Sequence, residues 1–160
     1  MRRQIVLPVF TLAFFVLALT VAGQSPELSG TWKVNEAKST YSPAPASPAK
    51  SQVSVWESLE GGQFKNTVEF VDAKGQSTHN EIILRFDGAD YPYKGAAVPT
   101  TRAYKRIDGR TFEFVTKVNG KVTTTTRSVA APDGKTRTLT TTGTNAQGQT
   151  VKNVVLWEKQ

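Results

Sequence analysis

Few residues in this chain could carry chemistry by themselves. It has one histidine, His79, and no cysteine. A thiol nucleophile, a disulfide, a cysteine-ligated metal and a multi-histidine metal site are therefore excluded. His79 stands in Thr78-His79-Asn80-Glu81, on a segment that reads as a strand. Its ring could touch a ligand or respond to pH; the alternative is a plain strand histidine at the surface. The carboxylates are scattered, and most sit at turns, where Asp is a structural choice. There is no Gly-x-Ser-x-Gly turn, and no acid–base pair can be selected. No catalytic residue, metal ligand or cofactor is expected.

The arginines are more informative. Arg85, Arg102, Arg106, Arg127 and Arg137 all fall in segments expected to be strands. A guanidinium turned into a barrel is costly unless it is paired or meets water, so it would mark an anionic head-group site. Arg127, at the end of a Thr-rich strand, is the first choice. The alternative is a surface arginine that resists edge pairing. Trp32, Trp56, Tyr91, Tyr93 and Tyr104 could line a pocket or pack a core. The candidate ligand contacts are thus Arg127, Trp32, Tyr104 and His79.

These residues would be positioned by short strands. Runs rich in Val, Thr, Phe and Ile are separated by turn signals at Asp72-Ala73-Lys74-Gly75, Asp87-Gly88, Asp108-Gly109, Asn119-Gly120, Asp133-Gly134 and Asn145-Ala146-Gln147-Gly148. Asp-Gly and Asn-Gly favour hairpins because both central residues tolerate positive φ. Strands are expected near 29–35, 52–59, 63–71, 77–86, 100–107, 111–118, 121–130, 136–143 and 150–158. A shorter one at 90–94 is weakened by Pro92, which cannot donate to a ladder. Phe64, Val68 and Phe70 share one face, as do Ile82, Leu84 and Phe86. The stretch 110–150 is dominated by Thr, which favours extended backbone without driving a dry core. Its threonines either face solvent or line a polar interior. Residues 36–51, with Pro43, Pro45 and Pro48, read as an irregular crossing.

Residues 1–23 read as an export signal. Arg2 and Arg3 form a positive start, an 18-residue apolar run follows from Ile5 to Ala22, and small residues close it. The competing reading is an uncleaved anchor. Residues 24–160 would then be one domain, exported to the periplasm or secreted, with no stable membrane insertion after cleavage. The net charge of +7 falls to +5 when the two arginines leave. Lys and Arg are spread along the chain without a focused patch, so no nucleic-acid partner is expected.

Eight to ten antiparallel strands in sequence order close most simply into an up-and-down β-barrel, giving an all-β fold with room for a small ligand. The opening Leu28-Ser29-Gly30-Thr31-Trp32-Lys33-Val34 resembles the first strand of the lipocalin and fatty-acid-binding superfamily, the calycins, through its Gly-x-Trp. The final third is similar to the fatty-acid-binding branch in Gly120-Lys121, the Thr-rich strand ending in Arg127, the turn Asp133-Gly134-Lys135, and Trp157-Glu158-Lys159. The chain as a whole resembles small secreted bacterial proteins of lipocalin-like type. The resemblance implies that Trp32 plugs the closed end, with Gly30 allowing a close backbone approach. It also places Arg127 at one arginine of the family's two-arginine, one-tyrosine carboxylate clamp. The other two clamp positions hold Val155 and Trp157, and the family's helical lid would fall on the prolines of 36–51. The expected function is a soluble exported barrel that binds a small, mainly apolar or amphipathic ligand inside. The alternative is a filled barrel that binds a protein or polymer through its loops.

Overall fold

The computed structural model describes residues 28–44, 49–145 and 147–160. The expected export signal lies outside them. The described chain forms β1 (Gly30–Val34), β2 (Ala49–Ser58), β3 (Phe64–Asp72), β4 (Ser77–Leu84), β5 (Asp87–Pro92), β6 (Thr100–Arg106), β7 (Thr111–Val118), β8 (Lys121–Ala130), β9 (Thr136–Thr144) and β10 (Thr150–Lys159). They make one ten-stranded sheet in the order β4-β3-β2-β1-β10-β9-β8-β7-β6-β5, every pairing antiparallel. The only break in sequence order is the pairing of β1 with β10, which joins the two ends of the meander.

The two edges of this sheet, β4 and β5, meet at one point. Glu81 and Lys94 exchange backbone hydrogen bonds, N–H to O at 3.2 and 2.8 Å. The sheet is therefore nearly closed into a barrel, as twist demands of so many strands. Gly95 makes this approach feasible. Its φ is +82°, and a Cβ there would lie 2.0 Å from the His79 carbonyl oxygen. On the outside of the seam, the Glu81 carboxylate bridges Lys65 at 3.3 Å and Lys94 at 3.4 Å. Hydrogen bonds from Lys65 and then Lys94 hold its pKa below the ordinary value.

The core lies inside the barrel and is mostly aromatic. Trp32, Trp56, Tyr104, Phe112, Phe114 and Trp157 are buried with Ile82 and Leu84. Tyr104 stacks on Phe114 with centroids 4.8 Å apart, and Trp56 meets Phe112 at 5.8 Å. Such pairs are worth about 0.5–1.5 kcal/mol each beyond their burial. Period-two alternation settles the threonines of β8 and its neighbours. Thr116, Thr124, Thr126 and Thr141 face inward, while Thr125 and Thr140 are exposed. Each of the two readings of that stretch holds for part of it.

Two local expectations are corrected. Asp87-Gly88 does not form a hairpin: β4 and β5 are the two edges of the sheet, joined by residues 85–86, and Asp87 already opens β5. The Asp87 carboxylate accepts the Ala89 N–H at 2.9 Å and the Tyr91 hydroxyl at 2.8 Å, stabilising a bulge within the strand. The crossing after β1 is also less irregular than expected, since β2 already begins at Ala49. Asn35 caps a short 3-10 turn at Glu36–Lys38. The chain then continues down the edge of β10, with Thr40 bridging Val154 and the Lys152 N–H donating to the Ser42 carbonyl at 2.8 Å.

Candidate functional site

The barrel encloses a cavity of about 360 Å³. This is within the range of small-molecule sites. Strand register sorts its wall into two ends. Trp157 is opposite Arg137 and pairs with Val34, two residues along β1 from Trp32, so these three share the inner end. Trp56 and Phe112 stand with them. Arg102 is opposite Thr116, which is opposite Thr124, and these mark the other end. Tyr41, Gln52 and Asn153 add polar groups to the wall.

At the inner end Trp32 is 2 % exposed and donates its indole N–H to the Leu28 carbonyl at 2.9 Å. The Arg137 guanidinium lies 5.0 Å from the Trp32 and Phe112 rings, and its Nη1 donates to Ser128 Oγ at 3.1 Å. Gly30 has φ +119°, and a Cβ there would come within 3.1 Å of Lys159 Cε, which crosses beside Trp32. The middle wall carries a hydrogen-bonded pair, Asn66 Nδ2 to Ser54 Oγ at 2.7 Å, and a Thr126–Thr141 hydroxyl contact at 2.8 Å. Trp157 Nε1 is buried with no hydrogen-bond partner among the described residues.

At the other end Arg102 lies with its guanidinium 3.7 Å from the Tyr93 ring centroid and 5.0 Å from that of Phe114. Its Nε is buried without a hydrogen-bond partner among the described residues. Burial opposes its charge, but the neighbouring Tyr104 and Tyr93 hydroxyls outweigh that and raise its pKa. Burial in turn pushes the Tyr104 phenol up, with Arg102 partly offsetting the shift. Tyr41, from the crossing after β1, donates its hydroxyl to Glu36 Oε2 at 2.9 Å. Desolvation first, then that hydrogen bond, push its pKa up to about 12.

Of the residues singled out from sequence, Trp32 and Tyr104 line the cavity, as do Trp56 and Tyr93. Arg127 does not. Alternation on β8 turns it outward between the inward Thr126 and Ser128, and its Nη1 pairs with Glu113 Oε1 at 2.6 Å on the cross-strand neighbour. His79 is exposed on β4, its Nδ1 against Glu69 Oε1 of β3. Tyr91 bonds Asp87 rather than joining the wall. The arginines that reach the cavity are Arg102 and Arg137, both present in the original set. Asn66 and Ser54 had no signal in composition; only the run of inward positions 64, 66 and 68 could have flagged Asn66.

Comparison with solved structures places this architecture. Two crystal structures of the fluorescent protein UnaG, the wild type and a point mutant, each superpose with a TM-score of 0.57. They are 15% and 14% identical to this chain, and cover 86% of it and 100% and 99% of their own chains. The likeness is one of fold, a lipocalin-like up-and-down barrel. No family model matches the sequence, and no curated protein does. Among the described residues there is no group of three or more His, Asp or Glu side chains placed to hold a metal ion. No helix among them is long and apolar enough to cross a membrane.

Proposed function

We propose that this protein is an exported, non-catalytic barrel that binds a small, mainly apolar molecule in its interior. The observation that carries the reading is the cavity of about 360 Å³ with all three tryptophans of the chain on its wall. A filled barrel working through its loops would need a packed interior at this place. The mechanism is burial of apolar ligand surface against Trp32, Trp56, Phe112 and Trp157, worth roughly 25 cal/mol per Å² removed from water. The polar pairs of the middle wall fix orientation, as sparse polar groups do in such sites. Export follows from the Arg2-Arg3 start and the apolar run from Ile5 to Ala22.

The test uses the protein purified from the envelope fraction of its own cells. Denaturation followed by mass spectrometry should release one hydrophobic compound in near-stoichiometric amount. The emptied barrel should take up an apolar fluorescent probe with strong energy transfer from the tryptophans. No released compound together with no probe uptake overturns the reading.

A further inference from the structure

Arg102 is a cation on the cavity wall whose partners there, the Tyr93 and Tyr104 hydroxyls, are uncharged. None of the described residues lining the cavity is Asp or Glu. Asp90, next to the Tyr91 that pairs with Arg102 on the neighbouring strand, is bound by Lys117 at 2.7 Å. The guanidinium is held between two aromatic faces, Tyr93 at 3.7 Å and Phe114 at 5.0 Å, so its plane is fixed rather than free to swing into water. Its Nε remains buried without an acceptor. A guanidinium only donates, so the missing partner must be an acceptor, and a planar oxyanion satisfies it best.

The surroundings extend the point. Tyr93 and Tyr104, the latter on the same strand, both bring their hydroxyls to the guanidinium. Thr116 and Thr124 continue the level across β7 and β8. The other end of the cavity is aromatic around Arg137, whose guanidinium lies against Trp32 and Phe112 and donates to Ser128. At the hydroxyl-rich end the Arg102 guanidinium meets hydroxyls and aromatic faces, with its Nε left without an acceptor among the described residues.

We propose that Arg102, with Tyr104 beside it, is the head-group site for an aromatic or otherwise apolar acid, whose body lies towards Trp32 and Trp157. This rests on the ligand-binding reading and adds the ligand's charge and direction. It also moves the anion contact away from the positions of the family clamp, two of which hold Val155 and Trp157 in this chain.

The test is calorimetric titration of the emptied protein with three probes on one skeleton: naphthylacetate, naphthylmethylphosphonate and naphthylethanol. At least one of the two acids should bind ten times or more tighter than the alcohol, and the tighter acid identifies the oxyanion. In Arg102→Met that advantage should vanish while the alcohol binds as well as before or better. Arg102→Lys, which keeps the charge, should retain part of it and guards against misfolding of the first variant. Equal binding of acids and alcohol by the unaltered protein overturns the proposal and leaves the ligand-binding reading intact. An advantage that survives in Arg102→Met overturns it likewise. If none of the three probes binds, the ligand-binding reading falls and this proposal with it.

Discussion

At the scale of single residues, Tyr41, Arg102 and Tyr104 carry shifted pKa values on the cavity wall, whereas the shifted carboxylates Glu81, Asp87 and Asp108 lie away from it. Tyr41 is the clearest. Its neutral phenol is held by partial burial and by the bond to Glu36, and its pKa is about 12 against an ordinary value of 10.0. A raised pKa means the unfolded chain loses this proton first. The contribution is therefore complete below pH 10 and is lost as pH rises towards about 12. Tyr91 and Tyr104 are shifted up as well, so absorbance titration of phenolate should show late ionisation, and Tyr41→Phe should remove one tyrosine's share of it. The same variant should also flatten the stability loss between those two pH values in urea denaturation. Arg127 shows why type and strand position were insufficient at this scale. Its strand was read correctly, but its face depends on whether Thr126 or Arg127 points inward, and both alternatives are polar.

At the scale of elements, the seam between β4 and β5 is the least-paired part of the sheet. One bridge, Glu81 with Lys94, joins edges that elsewhere carry no mutual ladder. Its formation depends on the bare Cα of Gly95 against the His79 carbonyl. Gly95→Ala should force these backbones apart, adding the cost of an unfavourable φ, roughly 1–2 kcal/mol. Hydrogen exchange should then accelerate at the Glu81 and Lys94 amides while amides of β7, β8 and β9 stay protected. Unchanged exchange at the seam would show that the bridge does not depend on that approach. The strand series itself was legible almost throughout, because Asp-Gly and Asn-Gly turns and period-two alternation are local signals. Asp87-Gly88 misled for a physical reason: its carboxylate satisfies Ala89 and Tyr91, so the pair becomes a bulge inside β5.

At the scale of the whole molecule, ten strands and one hollow make stability and binding a single problem. Trp32, Trp56 and Trp157 belong both to the core and to the cavity wall. A ligand that fills the hollow completes packing that the empty barrel lacks. At a hundredfold excess over its Kd it should stabilise the fold by about 2.7 kcal/mol. For a domain of this size that is a rise in Tm on the order of 10 °C. Differential scanning calorimetry with the released compound should show the shift, growing with the logarithm of ligand concentration. A Tm that ignores ligand concentration would mean binding outside the folded interior.

The sequence by itself determined what is local. The turn pairs and the alternation led to an antiparallel meander, and the Gly30-x-Trp32 resemblance pointed to a lipocalin-like barrel fold. The tertiary structure alone decided which polar face of each strand turned inward, and hence that Arg102 and Arg137, rather than Arg127, meet the cavity. The reason is that hydrophobic contrast sets a strand's facing. In the Thr-rich strands that contrast is nearly absent, so the facing was inherited through register from Phe112 and Phe114 on β7, where apolar side chains fix it.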